Sequence, residues 1–274
     1  MTAPSVSAIV VTFQTGPRLK ECLYALIADP EVDQTIIVNN GNPPDMLDWL
    51  ITFCDARPRA QLISGHGNVG FGAGVNLGID AASTEHILVI NPDAVLRRRS
   101  VSSLQVTAQD CPMPWIIGGK VFDLRGRECR GPRRRDLTLW RAATSMLGWN
   151  TWTLEATAAP NKATKMPVIS GAFFLSSRES LKQLNGFDEG YFLHVEDVDL
   201  CRRCWDAGGV VMYDPHAAAL HYGSTSDAPS GAVANHKANS LARYFKKFAR
   251  GPFERLVVAL AIPIMRFGIR LSGR

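Results

Sequence analysis

Acidic side chains gather around aromatic ones between Gly186 and His221, in the stretch GFDEGYFLHVEDVDLCRRCWDAGGVVMYDPHAAALH. Asp188, Glu189, Glu196, Asp197 and Asp199 share it with Phe187, Tyr191 and Phe192. A carboxylate in such company suits a general base beside a surface on which a sugar ring can pack. Glu196-Asp197 also opens a predicted helix, where unsatisfied N–H groups and the dipole favour negative charge. Capping therefore accounts well for one acid and less well for the cluster. Far upstream, Asn91-Pro92-Asp93 puts one carboxylate where a hard divalent cation could also touch a diphosphate, although a turn closed by a capping aspartate fits the same residues. His221 is the candidate to complete a site for Mn2+ or Mg2+, while a lone histidine is more usually structural or solvated.

The glycine-rich stretch Gly65 to Gly78, GHGNVGFGAGVNLG, permits close backbone approach to phosphate at Gly70, Gly72 and Gly74. It is a poor dinucleotide fingerprint, because that motif follows the first strand and needs an acidic residue after the second. A ligand-facing loop and a turn with close helix packing both remain open.

These residues need a frame, and the pattern predicts one. Apolar β-branched runs at Val6 to Val11, Thr35 to Val38, Gln61 to Ile63 and His86 to Ile90 read as strands. Helical spacing at Arg18 to Ala28 and Met46 to Cys54 separates them, and a helix follows the glycine-rich loop. Strand alternating with helix predicts a parallel α/β sheet covered on both faces, with Asn91-Pro92-Asp93 at the carboxyl end of the fourth strand, where such sheets gather ligands. Val168 to Leu175 reads as a strand, Ser177 to Leu184 and Val195 to Ala207 as helices, and Gly209 to Tyr213 as a strand. Leu124 to Met166 has weak periodicity and many breakers, so no element is assigned there.

With 274 residues, 46% hydrophobic and 20% charged, the chain can bury one large core plus an appended element. Residues 1–226 are expected as the main domain, split into halves at about residue 100, and residues 227–274 as a basic, amphipathic tail. The net charge of +5 attracts anions without choosing among nucleic acid, anionic lipid and a phosphorylated small molecule. Arg97-Arg98-Arg99 and Arg133-Arg134-Arg135 read equally as solvated faces or as binding runs, and no nucleic-acid-reading module accompanies them. Six cysteines are scattered, with Cys201-x-x-Cys204 on one helix face and no second pair to complete a tetrahedral metal site. No secretory signal precedes Val6, so a reducing cytoplasm is the expected compartment. No stretch reaches the about 20 apolar residues needed to cross a bilayer. Leu256 to Met265, broken by Pro263 and flanked by Arg255, Arg266, Arg270 and Arg274, fits either a segment lying in a membrane interface or a helix packed on the domain.

In order and spacing, Val10-Val11-Thr12-Phe13, Val38-Asn39-Asn40-Gly41, Gly67-Asn68-Val69-Gly70-Phe71-Gly72 with Asn76, Asn91-Pro92-Asp93-Ala94, Gly186-Phe187-Asp188-Glu189, Glu196-Asp197-Val198-Asp199-Leu200, and Pro215 with His221 resemble inverting family 2 glycosyltransferases, nearest the bacterial rhamnosyltransferase-like branch. The resemblance runs from about Val6 to Ser226 and implies a GT-A fold, with a nucleotide-binding half joined to an acceptor-binding half. It implies a nucleoside-diphosphate sugar donor held by Thr12, Phe13, Asn39, Asn68, Gly70, Asn76, Asn91 and Asp93. Asp197 matches the catalytic base, Gly171, Asp188, Tyr191 and Glu196 fall on the acceptor side, and Asp93 with His221 would hold Mn2+ or Mg2+. Asn39 and Asn91 stand where the family often has aspartate; an amide oxygen can still accept from a pyrimidine N3–H, and one fewer carboxylate implies looser metal binding. The activity implied by the resemblance is transfer of a sugar, with rhamnose the best guess, to a glycan or lipid-linked glycan of the cell surface. The setting would be cytoplasmic, peripheral on the inner face of the plasma membrane, whose anionic surface the basic tail would meet. An inactive sugar-nucleotide-binding scaffold of the same fold is the alternative.

Overall fold

The structure is a computed structural model and describes residues 3–129, 131–146, 158–223 and 230–272. Its first half alternates β1 (Val6–Thr12), α1 (Arg18–Ala28), β2 (Gln34–Asn39), α2 (Pro44–Asp55), β3 (Ala60–Ile63), α3 (Phe71–Ala81) and β4 (His86–Ile90). After β5 (Ala94–Leu96) and α4 (Ser100–Ala108) come β6 (Trp115–Phe122), β7 (Arg133–Arg134), α5 (Leu139–Met146), β8 (Thr164–Lys165), β9 (Val168–Ile169) and β10 (Phe173–Ser177). The chain finishes with α6 (Arg178–Gln183), α7 (Glu196–Asp206), β11 (Val210–His221), α8 (Ser230–Phe248) and α9 (Gly251–Ser272).

The main sheet runs β3-β2-β1-β4-β10-β6-β11-β5, with β8 also pairing β11. β3, β2, β1 and β4 are parallel, as the alternation predicts. β10 then enters antiparallel between β4 and β6, so the second half is mixed. Along β1, Ile9 and Val11 join one buried cluster while Ala8 and Val10 join the other, so the sheet is covered on both faces. The first cluster holds Val75 of α3, Cys201 and Cys204 of α7, and Leu241 and Phe245 of α8; the second holds Leu19 and Leu23 of α1, Leu50 of α2 and Leu104 of α4.

Two expectations change. The strand predicted from Val168 to Leu175 is broken at Ser170 to Ala172 into β9 and β10, which belong to different sheets. Pro263 does not break the final segment, since α9 continues through it. Proline forfeits one helical hydrogen bond and crowds the preceding turn, but burial of Val258, Ile262, Met265 and Ile269 along one face holds the helix to α5 and α8. The tail expected from residue 227 carries α8 and α9, and both share the hydrophobic cluster of the sheet. Cys201 and Cys204 are buried thiols that burial pushes up to about 12, so they behave as apolar helix residues. Part of the unassigned centre, residues 147–157, and the ends of the tail, residues 227–229 and 273–274, lie outside the described residues.

Candidate active site

The carboxyl ends of β4 and β11 bring the first constellation together. β11 pairs antiparallel with β5 so that His221 lies opposite Ala94, one residue past Asp93. His221 Nε2 consequently stands 3.1 Å from Asp93 Oδ1 and 3.4 Å from Asn91 Nδ2. Tyr222 fixes this end of β11: its N–H donates to the Asp93 carbonyl, its hydroxyl donates to Glu21, and Arg18 lies 4.0 Å above its ring. Among the described residues no three His, Cys, Asp or Glu side chains converge on one point. A carboxylate and an imidazole in contact still fit a hard cation of the Mn2+ or Mg2+ type, which takes its remaining ligands from substrate phosphates and water.

The second constellation surrounds the first turn of α7. His194 and Val195 both have left-handed backbones, φ 66° and 72°, immediately before Glu196. For β-branched Val195 this costs about 1–3 kcal/mol, strain of the kind retained where a turn must be aimed. Asp197 Oδ1 accepts the Val198 N–H at 2.8 Å, and Oδ2 accepts the Gly171 N–H at 3.0 Å together with the Arg134 guanidinium. Gly171 leaves little room for a side chain, because a Cβ there would stand 3.3 Å from Asp197 Cβ and 3.4 Å from the Phe71 ring. Glu196 is buried, and desolvation, helped by the charge of Asp197, pushes its carboxyl up to about 8.

The break between β9 and β10 joins the two constellations. Gly171 donates to Asp197, and the carbonyl of the next residue, Ala172, accepts the Asn91 N–H at 2.9 Å.

The predicted donor residues divide. Thr12 is buried at the end of β1 and bonded to Thr15 and Asn42, while Phe13 packs on Gly41. Asn39 does not offer the free amide oxygen expected of it. That oxygen accepts from the Gly41 and Asn42 N–H groups and from the Asn42 side chain, and the Asn39 amide donates to Ser64. It shapes the loop after β2. Asn68 caps the Gly70 N–H, and Gly70 is required where it stands: φ is 90° and a Cβ would come within 2.4 Å of the Phe192 carbonyl. Asn76 grips Phe187 through both N–H and C=O and donates to Glu189.

Of the residues expected on the acceptor side, Gly171 and Glu196 flank Asp197, whereas Asp188 and Tyr191 are placed beneath α8. Asp188 ion-pairs with Arg243 and Lys247, and Tyr191 is wholly buried with its hydroxyl on Asp199. An acidic and aromatic turn reads in sequence as a ligand surface, but here its partners come from a helix some fifty residues later. The arginine triplets also divide. Arg97, Arg98 and Arg99 are exposed, while Arg133 is buried in a bidentate pair with Glu128 and Arg134 reaches Asp197. The sequence shows Arg134 only as one of a run of arginines and gives Tyr222 no motif, so only the fold reveals the contacts that each makes.

The profile described as "Glycosyltransferase like family 2" matches residues 3–252. The N-acetylglucosaminyl-diphospho-decaprenol L-rhamnosyltransferase of Mycobacterium tuberculosis is 28% identical over 250 residues, covering 84% of this chain and 80% of the relative. Rhamnosyltransferase WbbL of Escherichia coli is 28% identical over 235 residues, covering 79% of this chain and 83% of the relative. Among solved structures, the mannosyltransferase PcManGT of Pyrobaculum calidifontis, in complex with GDP-Man and Mn2+, superposes with a TM-score of 0.61 at 15% identity. The match covers 99% of this chain and 73% of that one. GalNAc-T7 with UDP, GalNAc and Mn2+ gives a TM-score of 0.61 at 13% identity, and the match covers 80% of this chain but 43% of that longer protein. These likenesses establish the GT-A fold.

Proposed function

Since the chain belongs to glycosyltransferase-like family 2 and is a glycosyltransferase of glycan synthesis, we propose that it inverts configuration in a single displacement with Asp197 as general base. An acceptor hydroxyl gives its proton to Asp197 as its oxygen bonds to the anomeric carbon of the donor, and the bond from that carbon to the diphosphate oxygen breaks with its electron pair on the diphosphate. Val198, Gly171 and Arg134 hold the Asp197 carboxylate in one orientation, so little reorganisation is needed when the hydroxyl arrives. Mn2+ or Mg2+ bound by Asp93 and His221 would offset the charge that builds on the departing diphosphate. The observation that carries this reading is the Gly171-Ala172 bridge, which ties the base to the strand end bearing Asn91 and Asp93.

The names of the relatives make rhamnose the donor sugar to try first, as a nucleoside diphosphate, and a polyprenyl-linked glycan the acceptor class. The outer face of α9 supports an acceptor presented at a membrane. Phe253, Leu256, Leu260, Ile264 and Phe267 are 58–79% exposed along one stripe, opposite the face that packs on the domain. Arg255 and Arg266 run along its flank, complementary to anionic lipid on the cytoplasmic side. No described helix is long and apolar enough to cross a membrane. A panel of nucleotide sugars assayed for transfer to polyprenyl-diphosphate-linked acceptors, with and without Mn2+ or Mg2+, tests the reading. Turnover is expected with one deoxyhexose donor, and absence of transfer and of donor hydrolysis across the panel would discard it.

A further inference from the structure

Arg134 arrives at Asp197 from β7, in the stretch where periodicity assigns no element. Antiparallel pairing sets Arg134 opposite Val168, and β9 runs on into Gly171, so one small ribbon delivers both a guanidinium and a backbone N–H to Asp197. Arg134 Nη2 contacts Asp197 Oδ2 and also donates to the Ile169 carbonyl at 3.1 Å, which anchors the guanidinium to the ribbon. Each carboxylate oxygen has two lone pairs. Oδ2 is filled by Gly171 and Arg134, whereas Oδ1 accepts only the Val198 N–H among the described hydrogen bonds.

Resting on the assignment of Asp197 as base, we propose that Arg134 is a positioning residue that holds the Asp197 carboxyl group with Oδ1 turned to the acceptor hydroxyl. Glu196 strengthens the arrangement. Burial first and the charge of Asp197 second push its carboxyl up, so it presents less negative charge for Arg134 to balance. Among the described residues Arg134 Nε is buried without a hydrogen-bond partner, so the described hydrogen bonds of the guanidinium are those of Nη2 to Asp197 and Ile169.

The test compares Arg134→Ala, Arg134→Lys and Asp197→Asn in the full chain with the donor and acceptor that support transfer. Arg134→Ala is expected to lower kcat by about ten- to a hundredfold while leaving the donor KM within about threefold, the signature of an interaction realised at the reacting centre. Arg134→Lys, which restores charge without the planar fork, should recover part of kcat, and millimolar guanidinium should recover part of it in Arg134→Ala and none in Asp197→Asn. An Arg134→Ala enzyme with wild-type kcat, or one whose loss falls on donor KM and resists both rescues, overturns the inference while Asp197→Asn remains inactive. Near-normal transfer by Asp197→Asn overturns the base assignment, and the inference with it. If Arg134→Ala does not fold, the kcat and KM of Arg134→Lys decide between the same outcomes.

Discussion

Asp197 sits among N–H donors and a guanidinium, and asparagine in its place would retain the shape but lose both the proton acceptor and the charge. Turnover at saturating donor should fall about a hundredfold or more in Asp197→Asn, while donor KM stays near wild type, measured by steady-state transfer. Glu196 responds differently to pH. Its carboxyl is pushed up to about 8 by burial first and by Asp197 second. An acid raised in the folded state is least costly to the fold when protonated, so its cost grows as pH climbs from the ordinary carboxylate range towards about 8 and then levels. Glu196→Gln should therefore lose less Tm between pH 5 and pH 8 than the wild type, as read by thermal unfolding.

At the scale of elements, the joint between the 186–199 segment and α8 decides how the site is framed. Asp199 is wholly buried, held by Arg203 at 2.6 Å, Lys247 at 2.6 Å and the Tyr191 hydroxyl at 3.2 Å. Lys247 also pairs with Asp188, so Lys247→Met removes one cation from two carboxylates. It should cost about 1–3 kcal/mol in chemical denaturation, below the full penalty for an orphaned buried charge because Arg203 remains. Burial would raise Asp188, but Arg243 and Lys247 outweigh it and hold its carboxyl at about 2. Its contribution to stability is thus present above about pH 4 and disappears as pH falls towards 2. A Tm series from pH 5 to pH 2 should show a smaller acid loss in Arg243→Met than in wild type. Sequence periodicity finds α7 and the tail as separate objects; the ion pairs between the 186–199 segment and α8 join residues 48 to 59 positions apart, which no local pattern carries.

For the whole molecule, α9 presents two apolar faces, and the domain covers one of them. The exposed stripe from Phe253 to Phe267 extends about 21 Å along the helix. Inserting its side chains into a bilayer interface would contribute about 1.5–3 kcal/mol for each one fully buried. Co-sedimentation should detect binding to vesicles containing anionic lipid, weaker binding to zwitterionic vesicles, and a large loss for Leu260→Glu with Ile264→Glu. Equal binding by a chain ending at Arg250 would assign membrane contact elsewhere.

The alternating strands and helices, the strand-end position of Asn91 and Asp93, and the helical start at Glu196 were all legible in the sequence. Each depends on patterns repeated within a few residues, with period 2 or 3.6, or on breakers beside them. Tertiary structure alone decided that Asn39 spends its oxygen on its own loop, that Asp188 and Tyr191 lie beneath α8, and that Arg134 reaches Asp197. Those outcomes depend on which donors meet which acceptors across the folded sheet. A β-strand broken at Gly171 can bring Asp197 and Asn91 to one short segment, although the sequence spreads these residues over more than a hundred positions.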